Sequence, residues 1–217
     1  MKLVFFGPPG SGKGTQAKLL TEKFKLPHIS LGDMLRQEVR AESDIGQRAK
    51  ALINAGKLVP DELTIELTRQ RLNKPDCKNG FVLDGYPRSQ AQADALEEIL
   101  ADLKWQLDKM VYFQVDEDKV VERLSGRRSC KTCGAVYHVK FNQPKVAGKC
   151  DQDGSELYQR KDDVESAIRT RFEVYAEQTE PLLERYKKSE KLATVEAAGS
   201  IEQVFKRLLT VIGYGGN

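Results

Sequence analysis

Gly7-Pro8-Pro9-Gly10-Ser11-Gly12-Lys13-Gly14-Thr15 is the stretch on which the fold turns. The apolar run Leu3-Val4-Phe5-Phe6 precedes it. That run is too short for a helix and rich in β-formers, so it predicts a buried strand. Beyond the loop, Ala17, Leu19, Leu20 and Phe24 fall on one helical face. A strand, a glycine-rich turn and a helix carrying a lysine form the phosphate-binding P-loop arrangement. Glycines allow backbone N–H groups to converge on an anion at a helix N-terminus, where the helix dipole already favours negative charge. Lys13 adds a flexible point charge able to follow a phosphate as it moves. The general pattern has Ser or Thr directly after the lysine, whereas here Gly14 intervenes and the hydroxyl comes at Thr15. The competing reading, a glycine-rich hairpin, does not account for the helix that follows or for Lys13 in register.

At 217 residues, 40% hydrophobic and 31% charged, the chain is long enough for one sizeable core with insertions and reads as a soluble globular protein. No apolar run approaches membrane-spanning length, and Lys2 is followed by only four apolar residues before glycine. The expectation is therefore a cytoplasmic protein without a membrane partner. A net charge of +3 says little about nucleic acid. Between Arg127 and Lys161, however, eight Lys or Arg face three Asp or Glu, a local excess suited to a polyphosphate.

Along the chain, Leu26–Ser30 reads as a short strand, and Ser30-Leu31-Gly32-Asp33 as a turn and cap before a helix from Met34 to Val39. A helix from Ile45 to Ala55 stops at Gly56, and Pro60 precedes another, capped by Asp61, that reaches Leu72. Residues 30–59 thus form a small helical excursion. Phe81-Val82-Leu83-Asp84 is an apolar strand ending in aspartate, placed where a P-loop fold approaches a nucleotide-bound metal. Asp84 is accordingly the candidate for Mg²⁺, held through water because that ion keeps much of its hydration shell. A helix of sixteen residues starts at Ser89, a strand spans Val111–Val115, and a helix begins at Asp116 or Asp118. A long helix from Val164 to Lys187 is expected to be kinked or interrupted by Pro181. Leu192–Val195 is the last strand, Ser200-Ile201 opens the closing helix, and the tail 213–217 is expected to fray.

The loop GPPGSGKGT, the segment SLGDMLR, the stretch KLVPDE and the strand end DGYPR occur in this order, and the chain resembles the adenylate kinases over essentially its whole length. The resemblance implies an α/β P-loop core (1–29, 60–126 and 164–217) with a central parallel five-stranded sheet flanked by helices. It also implies a helical flap over the monophosphate (30–59) and a small β-rich cover, or LID, over ATP (127–163). The implied reaction is MgATP + AMP ⇌ 2 ADP, carried out by a monomer. ATP would lie on Gly10, Ser11, Gly12, Lys13, Gly14 and Thr15, with Arg127, Val136, Tyr137 and the backbone of Gly199. AMP would meet Leu31, Arg36, the Lys57-Leu58-Val59 loop, Gly85, Tyr86, Pro87, Arg88 and Gln92. Arg36 and Arg88 would clamp its phosphate, which planar guanidinium forks suit. Leu31 departs from the pattern, because many bacterial relatives have Thr there. Recognition of the base then rests more on Gln92, backbone groups and shape.

Cys130-x2-Cys133, sixteen residues, then Cys150-x2-Asp153 has the spacing of two metal-binding knuckles. Three thiolates favour zinc over magnesium or calcium, and Asp153 must complete the tetrahedron. With four protein ligands no position is left for an activated water, so the zinc would be structural. The alternative has Asp153 in an Asp-Gly turn with Gly154 and the cysteines merely reduced. Long-form bacterial adenylate kinases, some of which carry a zinc-bearing flap, resemble the chain here too. His138 lies between the pairs and reads as a packing or surface residue.

Arg123, Arg127, Arg160 and Arg171 match, by resemblance, the arginines that close over the transferring phosphoryl group. With Lys13 and Arg88 they are the candidate catalytic residues, and Arg160 and Arg171 also border AMP. Charge on that group spreads over its equatorial oxygens, so positioning and electrostatics carry catalysis and no general base is required. The simplest alternative for each arginine is a surface ion pair, for Arg123 with Glu122. Three other functions compete. The first is a kinase for another nucleoside monophosphate, such as CMP or UMP, kept open by Leu31; the other two belong to different classes. A P-loop ATPase without an acceptor leaves the acceptor-side arginines idle, and a zinc-ribbon nucleic-acid module offers only Tyr137 and Phe141 for stacking.

Overall fold

Leu3 and Phe5 point to one side of β1 (Lys2–Phe6), Val4 and Phe6 to the other, and all four are buried. A strand apolar on both faces needs cover on both, which a parallel sheet between helical layers supplies. The computed structural model describes residues 1–215, leaving aside the side chains of Glu117 and Asp118. Gly216 and Asn217, the end of the tail expected to fray, lie outside the described residues. After β1 come α1 (Lys13–Phe24), β2 (His28–Ser30), α2 (Leu31–Arg40), α3 (Asp44–Asn54) and α4 (Asp61–Leu72). Then follow β3 (Phe81–Asp84), α5 (Gln90–Asp102), β4 (Lys109–Gln114) and α6 (Glu117–Ser125). The insert contributes β5 (Arg127–Cys130), β6 (Val136–His138) and β7 (Leu157–Tyr158). The chain closes with α7 (Glu165–Val174), α8 (Leu182–Lys187), β8 (Leu192–Glu196) and α9 (Ile201–Val211).

The main sheet has the order β2-β3-β1-β4-β8, and every pair in it is parallel. On one face Leu3, Phe5, Val82, Val111 and Phe113 pack against Ala17 and Leu20 of α1 and Val204 and Leu208 of α9. On the other, Val4, Phe6, Leu83 and Met110 meet Leu96 and Ile99 of α5 and Leu182 and Leu183 of α8. The β1 loop and the end of β3 therefore open at the same edge, the carboxyl edge of the strands, where such sheets bind ligands. The insert forms a separate antiparallel sheet, β6-β5-β7, over a minimal core of Cys130, Ala135, Tyr137, Cys150 and Leu157. Among the described residues no helix is long and apolar enough to cross a membrane.

Two elements differ from the sequence expectation. Helix α2 starts at Leu31 rather than Met34, because Ser30 is the cap: its Oγ accepts from the Asp33 N–H at 3.3 Å. The Gly32-Asp33 pair that reads as a turn is thus the first helical turn, carried inward by buried Leu31 and Leu35. Helix α4 has Pro60 rather than Asp61 at its cap position, with no side-chain cap bond, and Asp61 is its first helical residue. The long helix is interrupted near Pro181, as expected: α7 passes into a π-helical turn over Tyr175–Thr179 before Pro181 and α8. Pro181 can donate no N–H and stands at the start of the next helix, where none is needed.

Candidate active site

The loop after β1 closes tightly on the sheet. A Cβ on Gly7 would stand 2.6 Å from the Phe113 carbonyl, and one on Gly10 2.5 Å from Val120 Cγ1. Both residues have positive φ, so glycine is required twice over. Lys13, the first residue of α1, folds its ammonium into the loop and donates to the carbonyls of Gly7 and Pro8 at 2.7 Å and to Ser11 Oγ at 3.1 Å. Its pKa falls to about 7. Burial is the main cause; the charge of Asp84 opposes it, and Arg88, Arg171 and Arg127 push the same way.

Asp84 ends β3 beside the loop, with His28 Nε2 3.5 Å from its Oδ2. A Cβ at position 14 would lie 3.3 Å from the same oxygen. Glycine after the lysine therefore keeps clear the space in front of the carboxylate, and Thr15 carries the first hydroxyl of the helix, half-buried at the cleft wall. A strand-end carboxylate with that space before it fits a hydrated Mg²⁺.

Across the cleft, Arg36 of α2 pairs with Asp33 at 2.7 Å. Arg88 donates from Nε to the Gly85 carbonyl at 2.7 Å, and Gly85 has φ 76 with its missing Cβ 2.9 Å from an Arg88 nitrogen. The positive φ favours glycine there, and its bare Cα lets the guanidinium fold close over it. Thr179, on the π turn, donates its hydroxyl to the Arg88 carbonyl at 2.8 Å and ties the distant chain end to this corner. Leu31, Lys57, Leu58, Val59, Gly85, Pro87, Arg88 and Gln92 all line one cleft, together with the loop. Tyr86 is placed differently: its ring is in the core beneath the cleft.

The four insert-associated arginines converge on the same cleft. Arg127 grips buried Asp163 with two parallel bonds, 2.8 Å from Nε and 2.5 Å from the terminal nitrogen. Arg171 of α7 reaches Asp162 at 3.1 Å and Asp163 at 3.4 Å. Arg160 bonds Ser129 Oγ at 2.8 Å and extends across to Asp33 at 3.9 Å. Arg123 is not paired with its neighbour. Glu122 bonds Lys140 at 2.7 Å, and Arg123 instead donates to the Ala197 carbonyl at 2.9 Å beside Gly199, another residue of the cleft wall. Burial first, and then the crowding of Arg127, lowers the pKa of both Arg160 and Arg171. They remain cations at neutral pH. The cleft, about 1200 Å³, is lined by nine Lys or Arg against five Asp or Glu. Such a surplus, sunk below the surface, calls for a polyanion.

Beside it, the Cys130, Cys133 and Cys150 sulfurs and an Asp153 oxygen lie within 4.8 Å of one another. The Cys133–Cys150 and Cys130–Asp153 separations are 3.6 and 3.4 Å. Tetrahedral zinc with bonds of ~2.0–2.3 Å places its ligand atoms roughly 3.5–3.8 Å apart, so the donor set fits. The Cys130 sulfur also accepts from the N–H groups of Thr132 and Cys133, which orient it toward the cluster. Tyr137 is buried in this small core; its hydroxyl lies 3.5 Å from Cys150 Sγ and accepts from the Asp151 N–H at 2.8 Å. It reaches the cleft wall along with exposed Val136. Thr179 and Ser129 carried no sequence signal and Asp61 only that of a helix start, because each acts through a contact that only the folded chain creates.

Sheet, loop and cationic cleft together define a phosphotransferase of the P-loop class. The family model described as adenylate kinase matches residues 5–191. An adenylate kinase of Thermosipho melanesiensis is 51% identical over 98% of this chain and 99% of its own length. One from Clostridium botulinum is 48% identical over 98% and 99%, and one from Methanothrix thermoacetophila 50% over 98% of each. The chain belongs to the adenylate kinase family.

Proposed function

We propose that the protein transfers the γ-phosphoryl group of MgATP reversibly to AMP, giving two ADP. The observation that carries this reading is the placement of two cationic stations in one cleft, the Lys13 loop and the Arg36–Arg88 pair, with Arg123, Arg127, Arg160 and Arg171 beside them. ATP would take the loop residues 10–15 with Val136, Tyr137 and Gly199, and AMP the wall from Leu31 and Arg36 to Gln92. An acceptor phosphate oxygen attacks the γ-phosphorus in line as the bond to the β-phosphate oxygen breaks, and ADP departs. No residue has to take a proton from the attacking phosphate. Arg127, Arg160 and Arg171, with Lys13 and Arg88, neutralise the charge that spreads over the transferred oxygens. Mg²⁺, held at Asp84 through water, would share that charge when bound. Residues 30–59 and 127–163 serve as flaps on a core of 1–29, 60–126 and 164–217, and they exclude water from the transfer. Zn²⁺ on Cys130, Cys133, Cys150 and Asp153 would hold the second flap together. The same reading makes the protein a cytoplasmic monomer that acts on ATP, AMP and ADP, without nucleic acid or membrane.

The test is ADP formation from ATP with AMP, CMP, UMP or GMP as acceptor, repeated with Lys13→Ala. AMP should be the best acceptor, and loss of Lys13 should slow transfer by about a hundredfold or more. ATP consumption at an equal rate without any monophosphate would make the protein a hydrolase and overturn the reading.

A further inference from the structure

Gln92 has its hydrogen-bonding groups assigned by its neighbours. The Arg88 backbone N–H, which can only donate, stands 2.8 Å from one end of the amide, so that end is Oε1. The Asp61 carboxylate, which accepts, stands 2.7 Å from the other, so that end is Nε2. The second Nε2 proton goes to Thr64 Oγ1 at 3.1 Å. Thr64 in turn donates its own proton to the Asp61 carbonyl at 2.9 Å and so can only accept from Gln92. Asp61 is held from its other oxygen by the Ser89 hydroxyl at 2.8 Å. Both amide protons are therefore committed, and a single lone pair on Oε1 remains. Gln92 and Thr64 line the cleft wall, whereas Asp61 stands behind them at the first turn of α4.

We propose that Asp61 is a positioning residue that sets acceptor-base selectivity by holding Gln92 as a hydrogen-bond acceptor only. This rests on the reading that a nucleoside monophosphate occupies the wall at Gln92. A base offering an exocyclic amine there, as adenine does, finds a partner. One offering a carbonyl, as hypoxanthine and guanine do, meets a lone pair and leaves two buried acceptors facing each other, an unfavourable contact. Leu31 adds no hydroxyl to soften that choice. Replacing Asp61 with alanine removes the carboxylate that fixes Nε2, leaving the Arg88 N–H to oppose turning of the amide, so that Nε2–H can be turned toward a 6-oxo base.

The experiment compares kcat/KM for AMP and for inosine monophosphate, which differs at that edge, in the unaltered chain and in Asp61→Ala, Asp61→Asn and Thr64→Val. The preference for AMP should fall by about tenfold or more in Asp61→Ala. It should fall in the same direction in Thr64→Val, which frees the other proton. Asp61→Asn should restore it, because Asn Oδ1 still accepts from Nε2. A merely structural role for Asp61 would lower turnover of both nucleotides alike and leave their ratio unchanged. An unchanged ratio in a folded Asp61→Ala, or in Thr64→Val should Asp61→Ala fail to fold, overturns the inference and leaves the kinase reading intact. Failure of the unaltered chain to phosphorylate AMP at all overturns the kinase reading itself, and this inference falls with it.

Discussion

Lys13 sits among more positive than negative neighbours, its ammonium held by the loop's own carbonyls until an anion arrives. A polyphosphate would reverse that environment and raise the pKa from about 7 towards the ordinary lysine value. The nucleotide-bound state then holds more protons than the free one, so affinity should fall as pH rises above 7. Calorimetry of ATP binding at pH 8 in buffers of different ionisation enthalpy should register proton uptake, and Lys13→Met should abolish it. Equal apparent enthalpies in all buffers would contradict the assignment. At the same scale the glycines explain a departure from pattern. A Cβ at Gly14 would come within 3.3 Å of Asp84 Oδ2 and oblige that carboxylate to shift by a few tenths of an ångström, so glycine leaves it undisturbed. That reason is invisible in the loop sequence, which contains no trace of β3.

Elements show most clearly where local signals are overridden or completed. The insert has a small core of its own, so a metal held by its four candidate ligands would contribute directly to its order. Chelation, or Cys130→Ser, should lower the melting temperature by several degrees or more while leaving turnover at moderate temperature nearly unchanged. Loss of turnover in step with the metal, in a protein still folded, would point instead to a catalytic ion. The insert is also tethered to α6 by His138, stacked on Phe141 with ring centroids 4.4 Å apart. Its Nδ1 accepts from the N–H groups of Lys140 and Phe141, which leaves the proton on Nε2 to donate to the Glu122 carbonyl at 3.3 Å. Burial lowers its pKa from the ordinary 6.5; the Glu122 carbonyl and charge oppose this, and Lys140 and Arg128 reinforce it. Protonation would set a third donor against the two amides. The unfolded chain thus takes the proton first, and stability contributed by this contact should be lost as pH drops below 6.5. Thermal melts between pH 7.5 and 5.5 should show a decline that His138→Phe flattens. The sequence left His138 as a packing or surface residue; the structure buries it, in a bond whose partner is a carbonyl of another element.

Across the whole molecule, one ion pair spans the cleft, Arg160 from the insert side to Asp33 of α2 at 3.9 Å. Asp33 is more than half exposed, so the pair is worth only ~0–1 kcal/mol. Asp33→Ala should therefore change the balance between near and far separations of labels on residues 50 and 146 by no more than about fivefold, measured by single-molecule energy transfer. A change of a hundredfold would mean that this contact dominates closure. The strand-loop-helix start, the order of elements, the four potential metal ligands and the inventory of arginines were all legible in the sequence alone. Periodicity, glycine placement and short spacings are local, and a core buried on both faces leaves apolar strands little freedom. The tertiary structure alone decided what each polar side chain does: Gln92 turned as an acceptor by Asp61, Arg123 given to Ala197 rather than Glu122, and Arg127 clamped on Asp163. Those partners lie between 31 and 74 residues away in the chain, and hydrogen-bond direction depends on which groups folding brings within 3 Å.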